Sequence, residues 1–307
     1  MRLGYYSYSS HLDHEVGDSH PEHPMRIIAI NHQMELEGPV ADTLNLNCNK
    51  SVQLEDLVRA HTPGYIDQLN IMSPAHGMIL AATDTPMSIG SLNAAYQATS
   101  CVMEALDDII QSRVDRAFCA VRPPGHHAEN NKSMGFCFLN NIAIAAKKAQ
   151  QEYGLERIAI IDFDAHQGNG TINILSGDPR FLICSSFQHP GYPFSHWDNI
   201  YSNVINTPLK EFSKGIDMRR AVETQWLEQL QAFKPQLTLI SAGFDAHKND
   251  PMARLQWQKE DYAWLGTFLS EINKENPDNK ILAVLEGGYN LTALAESACS
   301  FIEAIKK

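Results

Sequence analysis

The sequence contains no run of about 18 consecutive apolar residues, so no window reads as a membrane-spanning helix. Its first residues, MRLGYYSYSS, lack the apolar stretch of a secretory signal. Basic residues are scarce: 24 Lys and Arg stand against 36 Asp and Glu, a formal net charge of −12. A surface of that sign repels nucleic acid and anionic lipid, so neither is expected as a partner, and it mildly favours cationic substrates. Repeats, low-complexity blocks and linkers rich in Pro, Gly or Ser are also missing. One domain over residues 1–307 is the simplest organisation. None of the six cysteines (Cys48, Cys101, Cys119, Cys137, Cys184 and Cys299) forms a CxxC pair. Several lie inside apolar runs, so they read as reduced, buried thiols of a cytoplasmic protein. The sequence fixes no oligomeric state.

Short apolar runs rich in β-branched residues recur at Arg2–Tyr6, Arg116–Val121, Arg157–Asp162, Arg180–Ser185, Gln236–Ala242 and Lys280–Leu285. They lack clean two-residue alternation, which is how strands buried on both faces of a parallel sheet read. Between them, Ser88–Gln111, Leu139–Tyr153, Asp217–Phe233, Trp257–Asn273 and Leu291–Ile305 carry helical apolar stripes, the third opening with a capping Asp. Alternating strands and helices predict an α/β sandwich with a mostly parallel central sheet. The segments from about 72 to 87 and from 186 to 216 show no periodicity and predict long loops at the mouth of a site.

Polar residues collect just after four of the strands: Arg122-Pro-Pro-Gly-His126-His127, Asp162-Phe-Asp164-Ala-His166-Gln-Gly-Asn169, Ala242-Gly-Phe-Asp245 and Glu286-Gly-Gly-Tyr289. In an open parallel sheet the carboxyl ends of the strands form the ligand crevice. Asp162-x-Asp164-x-His166 is a metal motif if the strand continues through it, because alternate residues then share a face. Imidazole and carboxylate suit zinc, and less specifically iron or cobalt. Asp245 can supply a third ligand, with His247 as a competitor from the same turn-rich loop. His126 and His127 are acid–base candidates oriented by Asp162 and Asn169, one charged and one neutral partner, which would push the two imidazoles apart in pKa. They could instead be ligands themselves. Tyr289, after two glycines, can swing a phenol against a polarised carbonyl.

Together with His20-Pro-Glu-His-Pro-Met-Arg26, Gly135-Phe-Cys-Phe-Leu-Asn-Asn141 and Asp250-Pro251, these segments resemble the histone deacetylase superfamily, including its bacterial deacetylase-like and acetylpolyamine-hydrolysing members. The Glu-Gly-Gly-Tyr and Gly-Asn-Gly variants look like the class II branch. The resemblance implies an arginase-like three-layer fold around a sheet of about eight strands. It implies a zinc-dependent deacetylase with zinc on Asp164, His166 and Asp245. His127 looks like the general base and acid, His126 with Asp162 the electrostatic partner, Asn169 the support of His127, and Tyr289 the carbonyl polariser. Gly135, Phe136, Tyr192 and Met252 match the acyl-lysine channel, and Arg26 matches an arginine lining an acetate channel. A structural potassium ion near Asp162, Asp164, His166 and Ser185 is also implied, and iron could replace zinc in the cell.

The expected substrate is an acylated lysine or a small acylated amine. His23 and Phe187 depart from common family residues without touching the metal motif. Met252 stands where one group of polyamine-selective relatives carries Glu, and its apolar side chain favours ordinary acyl-lysine or a small neutral amide. Asp84 and Glu129 are loop acids that could read a polyamine instead. Two other readings are a dimanganese ureohydrolase, suggested by Asp164-Ala-His166, and a noncatalytic acetyl-group binder. Gln167-Gly168-Asn169 offers no bridging carboxylate for two metals, and no ligand or Tyr is lost.

Overall fold

In the computed structural model the residues described are 1–36, 43–48, 50–198, 200–275 and 280–306. Eight strands form one sheet: β1 (Leu3–Ser7), β2 (Thr43–Asn47), β5 (Arg116–Cys119), β6 (Ile158–Asp162), β7 (Phe181–Gln188), β8 (Val204–Leu209), β9 (Leu237–Ala242) and β10 (Lys280–Leu285). Their order is β2-β1-β5-β10-β9-β6-β7-β8, and every neighbouring pair is parallel. The predicted α/β layering is what the chain adopts.

The missing polar alternation has a direct cause. Along β6, Ile158 and Ile160 enter one apolar core while Ala159 and Ile161 enter the other. Along β10, Leu282 and Val284 separate from Ile281, Ala283 and Leu285 in the same way. The first core is closed by α4 (Ser91–Ile110) and α5 (Asn141–Tyr153). The second is closed by α1 (Met25–Leu36), α7 (Gly215–Gln225), α8 (Leu227–Phe233), α9 (Lys259–Glu275) and α10 (Leu291–Lys306). Burial on both faces leaves polar residues only at the ends of these strands, Asp162 on β6 and Lys280 on β10.

Several boundaries differ from the sequence reading. The 72–87 segment holds an antiparallel hairpin, β3 (Met78–Ala82) with β4 (Thr85–Ser88), outside the main sheet. The 186–216 segment contains the end of β7, all of β8 and the start of α7. β8 has Asn206 and Pro208 because it is an edge strand, where a missing N–H is tolerated. The helix expected over Asp217–Phe233 breaks at Trp226, and Asp217 is its third residue, accepting the Lys214 N–H in a capping box. Helices α1, α2 (Leu54–Leu57), α3 (Pro63–Met72) and α6 (Asn169–Leu175) were not anticipated. The site-bearing strands β5, β10, β9 and β6 are consecutive in the sheet, so their four following turns meet above one edge.

Candidate active site and metal centre

β6 ends at Asp162, so strand alternation does not aim Asp164 and His166. Consecutive side chain-to-backbone turns do it instead. The Asp164 N–H donates to Asp162 Oδ1 at 3.1 Å, and the His166 N–H to Asp164 Oδ1 at 2.9 Å. Across the gap to β9, Asp245 Oδ1 accepts the Ala165 N–H at 2.8 Å. Asp164 Oδ2 accepts the Gly287 N–H at 2.8 Å. A side chain at Gly287 would strike both carboxylates, so the approach of the β10 turn requires glycine.

These turns bring ligand atoms of Asp164, His166 and Asp245 within 4.8 Å of one another. His166 Nδ1 lies 3.1 Å from Asp164 Oδ1 and 2.9 Å from Asp245 Oδ2. Both carboxylates are fully buried, and the donor set of two oxygens and one imidazole nitrogen fits a divalent ion such as zinc. His247 is outside this cluster, its Nδ1 accepting the Asn249 N–H at 3.2 Å. Beside the cluster the Ser185 hydroxyl, level with Asp162 across the β6–β7 pair, is buried without a hydrogen-bond partner. An unpartnered oxygen there is compatible with a bound monovalent cation, the ligand expected from the sequence.

His126 and His127 lie side by side, ring centres 4.0 Å apart. His126 Nδ1 meets Asp162 Oδ2 at 3.0 Å, and His127 Nδ1 meets Asn169 Oδ1 at 2.8 Å. Neither is in the three-residue ligand cluster. Burial opposes charge on His126, but the Asp164 and Asp162 carboxylates outweigh it and push the ring up to about 10. Burial, then the neighbouring His126 and His166, hold His127 well below the ordinary histidine range. The carboxylates thus favour charge on His126, whereas burial and the neighbouring imidazoles oppose it on His127.

The Tyr289 ring stands edge-on to Phe136, centres 6.0 Å apart, with the Arg26 guanidinium 4.9 Å from its centroid. Burial raises its phenol well above the usual value, and the nearby Asp245 and Asp164 carboxylates add to this against Arg26, so it stays a donor. Arg26 is itself fully buried. It donates to Gly288 O at 2.6 Å, to Glu22 Oε1 at 2.9 Å and to Glu286 O, clamping the turn before Tyr289. Glu22 also takes both Nε and Nη2 of Arg122.

Tyr192 packs edge-on to His127 and His166, at 5.1 and 6.0 Å. Gly135 has a positive φ of 55°, and a Cβ there would overlap the His127 ring. Phe136 and Tyr192 are partly exposed beside the histidines, whereas Met252 is 38% exposed and its described contact is its N–H to Asp250 Oδ1. Asp84, at the β3–β4 tip, accepts the Tyr192 hydroxyl at 2.8 Å and the Gly135 N–H at 3.1 Å. Glu129 is buried and paired with Asn169 and Lys132. Both loop acids offered for polyamine recognition are thus engaged within the protein. Phe187 lies buried with its ring edge-on to His189. His23 accepts the Met25 N–H at 3.2 Å.

Glu286 and Asp250 hold roles that the sequence motifs did not reveal. Glu286 accepts the N–H groups of Gly125 and His126 and the Ser241 hydroxyl. Asp250 accepts those of Tyr289 and Asn290. Their signal was a carboxylate beside a turn carrying catalytic-type residues, which sequence alone does not separate from a surface acid.

A family model, the histone deacetylase domain, matches residues 20–305. Histone deacetylase 14, chloroplastic, of Arabidopsis thaliana is 34% identical over 98% of this chain and 76% of its own. The histone deacetylase-like amidohydrolase of Pseudomonas aeruginosa is 31% identical over 88% of this chain and 73% of its own. The crystal structure of the HDA15 HD domain superposes with a TM-score of 0.92 at 30% identity, covering 99% of this chain and 90% of that one. With the fold, the buried ligand cluster and the paired histidines in place, the chain belongs to the histone deacetylase family of hydrolases.

Proposed function

We propose that the chain is a zinc-dependent deacetylase that hydrolyses acyl-lysine amides, acting as one catalytic domain in the cytoplasm. The observation that carries the reading is the convergence of Asp164, His166 and Asp245 within 4.8 Å beside the His127 ring, with the turn before Tyr289 tied to Asp164 through the Gly287 N–H. Asp164, His166 and Asp245 would hold the zinc, and Ser185 with the Asp162–His166 turn a structural potassium. Bound zinc supplies Lewis acidity for water activation and carbonyl polarisation.

The protein's own groups do the rest. His127, held neutral, accepts a proton from the attacking water and returns it to the leaving amine. His126, held charged by Asp162 and Asp164, stabilises negative charge as the tetrahedral centre forms. Tyr289 donates its hydroxyl to the acyl oxygen. Phe136 and Tyr192 wall the channel and exclude water from the lysine stem. Arg26 fixes the turn that presents Tyr289, and the acetate product leaves past it.

The substrate reading favours protein acyl-lysine over acetylpolyamine. Asp84 and Glu129 are engaged by internal partners, and Met252 gives an apolar rim. The cytoplasmic reading is supported by six free, buried thiols. The deciding experiment compares zinc-loaded protein on an acetyl-lysine peptide, its trifluoroacetyl and longer-acyl analogues, and acetylputrescine. The highest kcat/KM on a lysine peptide is expected. A preference for acetylputrescine would overturn the substrate assignment, and no turnover of any of them would overturn the activity.

A further inference from the structure

Glu129 lies two residues beyond His127, yet its carboxylate does not serve solvent. It is 8% exposed, with Oε1 2.8 Å from Asn169 Nδ2 and Oε2 3.2 Å from Lys132 Nζ. The Glu129 N–H closes a tight turn on Lys132 O at 3.1 Å, which fixes the acid in place. The amide of Asn169 has two ends of similar shape and opposite polarity. A carboxylate beside an ammonium accepts and does not donate, so the NH2 end must face Glu129. The oxygen end then faces His127, 2.8 Å from Nδ1. An amide oxygen only accepts, so Nδ1 must carry the proton of neutral His127, which leaves the Nε2 lone pair free. The other contacts of the NH2 group, His127 O at 3.3 Å and Met134 Sδ at 3.5 Å, hold the amide more weakly.

We propose that Glu129 is a positioning residue: by setting which end of the Asn169 amide meets His127, it selects the imidazole tautomer able to take a proton from water. The proposal rests on the reading of His127 as general base, but its direct readout does not. That readout is the tautomer of His127, from long-range proton–nitrogen correlation on metal-loaded protein labelled with 15N-histidine, the signal assigned by its loss in His127→Ala.

The wild type should show Nδ1–H alone. Glu129→Gln can present either end of its own amide, so the Nε2–H form should appear, with kcat about tenfold lower and KM little changed. Asn169→Asp sets two carboxylates against each other and should be far worse than Glu129→Gln. The double variant E129Q/N169D lets the new amide donate to the new carboxylate, and it should recover about tenfold over Asn169→Asp alone. Pure Nδ1–H with wild-type kcat in Glu129→Gln, or a double variant no better than Asn169→Asp, overturns the proposal. If the wild type turns over no acylated amine, the general-base reading fails, while the tautomer still decides what Glu129 does.

Discussion

The floor of the site and its rim are held in different ways. At the ends of β5, β10, β9 and β6, the carboxylates of Asp162, Asp164, Asp245, Glu286 and Asp250 each accept backbone N–H groups from a turn of the same cluster. At the rim, the β3–β4 hairpin and the segment carrying Tyr192 meet through Asp84. The floor carboxylates Asp164 and Asp245 are fully buried, while Phe194, whose ring lies 6.4 Å from that of Tyr192, is 76% exposed. Geometry that must hold to fractions of an ångström is built on rigid strand ends, and the apolar surface that meets a substrate sits on segments with fewer ties. Substitutions in the floor should therefore damage rate or folding, and those at the rim should change substrate affinity alone.

The largest effect is expected from Asp245→Asn. Loss of one anionic ligand should empty the metal centre and lower kcat/KM on the order of a thousandfold, measured with metal content on the same sample. Retained activity in that variant would break the division between floor and rim. Glu22→Gln comes next. It leaves the Arg122 and Arg26 guanidiniums buried without their counter-charge and should lower unfolding free energy by about 3–5 kcal/mol in denaturant titrations.

The same group sets a pH dependence. Burial alone would raise the Glu22 carboxyl, but Arg122, the His14 ring and Arg26 outweigh it and hold it well below the ordinary carboxylate range. Its stabilisation is complete above the ordinary glutamate value of about 4.5 and is lost as pH falls through the lowered one. Glu22→Gln should flatten that acid limb of the stability curve; an unchanged limb would assign it to other carboxylates.

Tyr289→Phe should keep its metal and its fold and lose about a hundredfold in kcat with little change in KM, as expected for a donor that acts on developing charge. The smallest effect belongs to the rim. Tyr192→Phe removes the hydroxyl that reaches Asp84, a bond of about 1 kcal/mol. KM for an acetyl-lysine peptide should rise a fewfold with kcat nearly unchanged. A large fall in kcat would show that the rim positions His127 through the Tyr192 ring and would erase the contrast.

Six of the eight sheet strands (β1, β5, β6, β7, β9 and β10) were legible because they are interior and buried, whereas the edge strand β2 was not anticipated. The order of motifs after β5, β6, β9 and β10 placed the site at one sheet edge. The route to the metal cluster was not. Asp164 and His166 were expected to share a face by strand alternation, and hydrogen-bonded turns past the end of β6 bring them together instead. The β3–β4 hairpin and β8 were hidden because hairpin and edge strands carry no continuous apolar run. Glu129 was read as a loop acid able to meet a polyamine, since the partner that buries it, Asn169, is 40 residues away along the chain.

Zinc K-edge X-ray absorption on the zinc-loaded chain, with metal counted per chain, tests the metal assignment most directly. It should find one ion per chain with nitrogen and oxygen neighbours and no sulfur, and the ion should vanish in folded Asp245→Asn protein. Two ions per chain, sulfur in the coordination shell, or an unchanged spectrum in that variant would contradict a centre built from Asp164, His166 and Asp245.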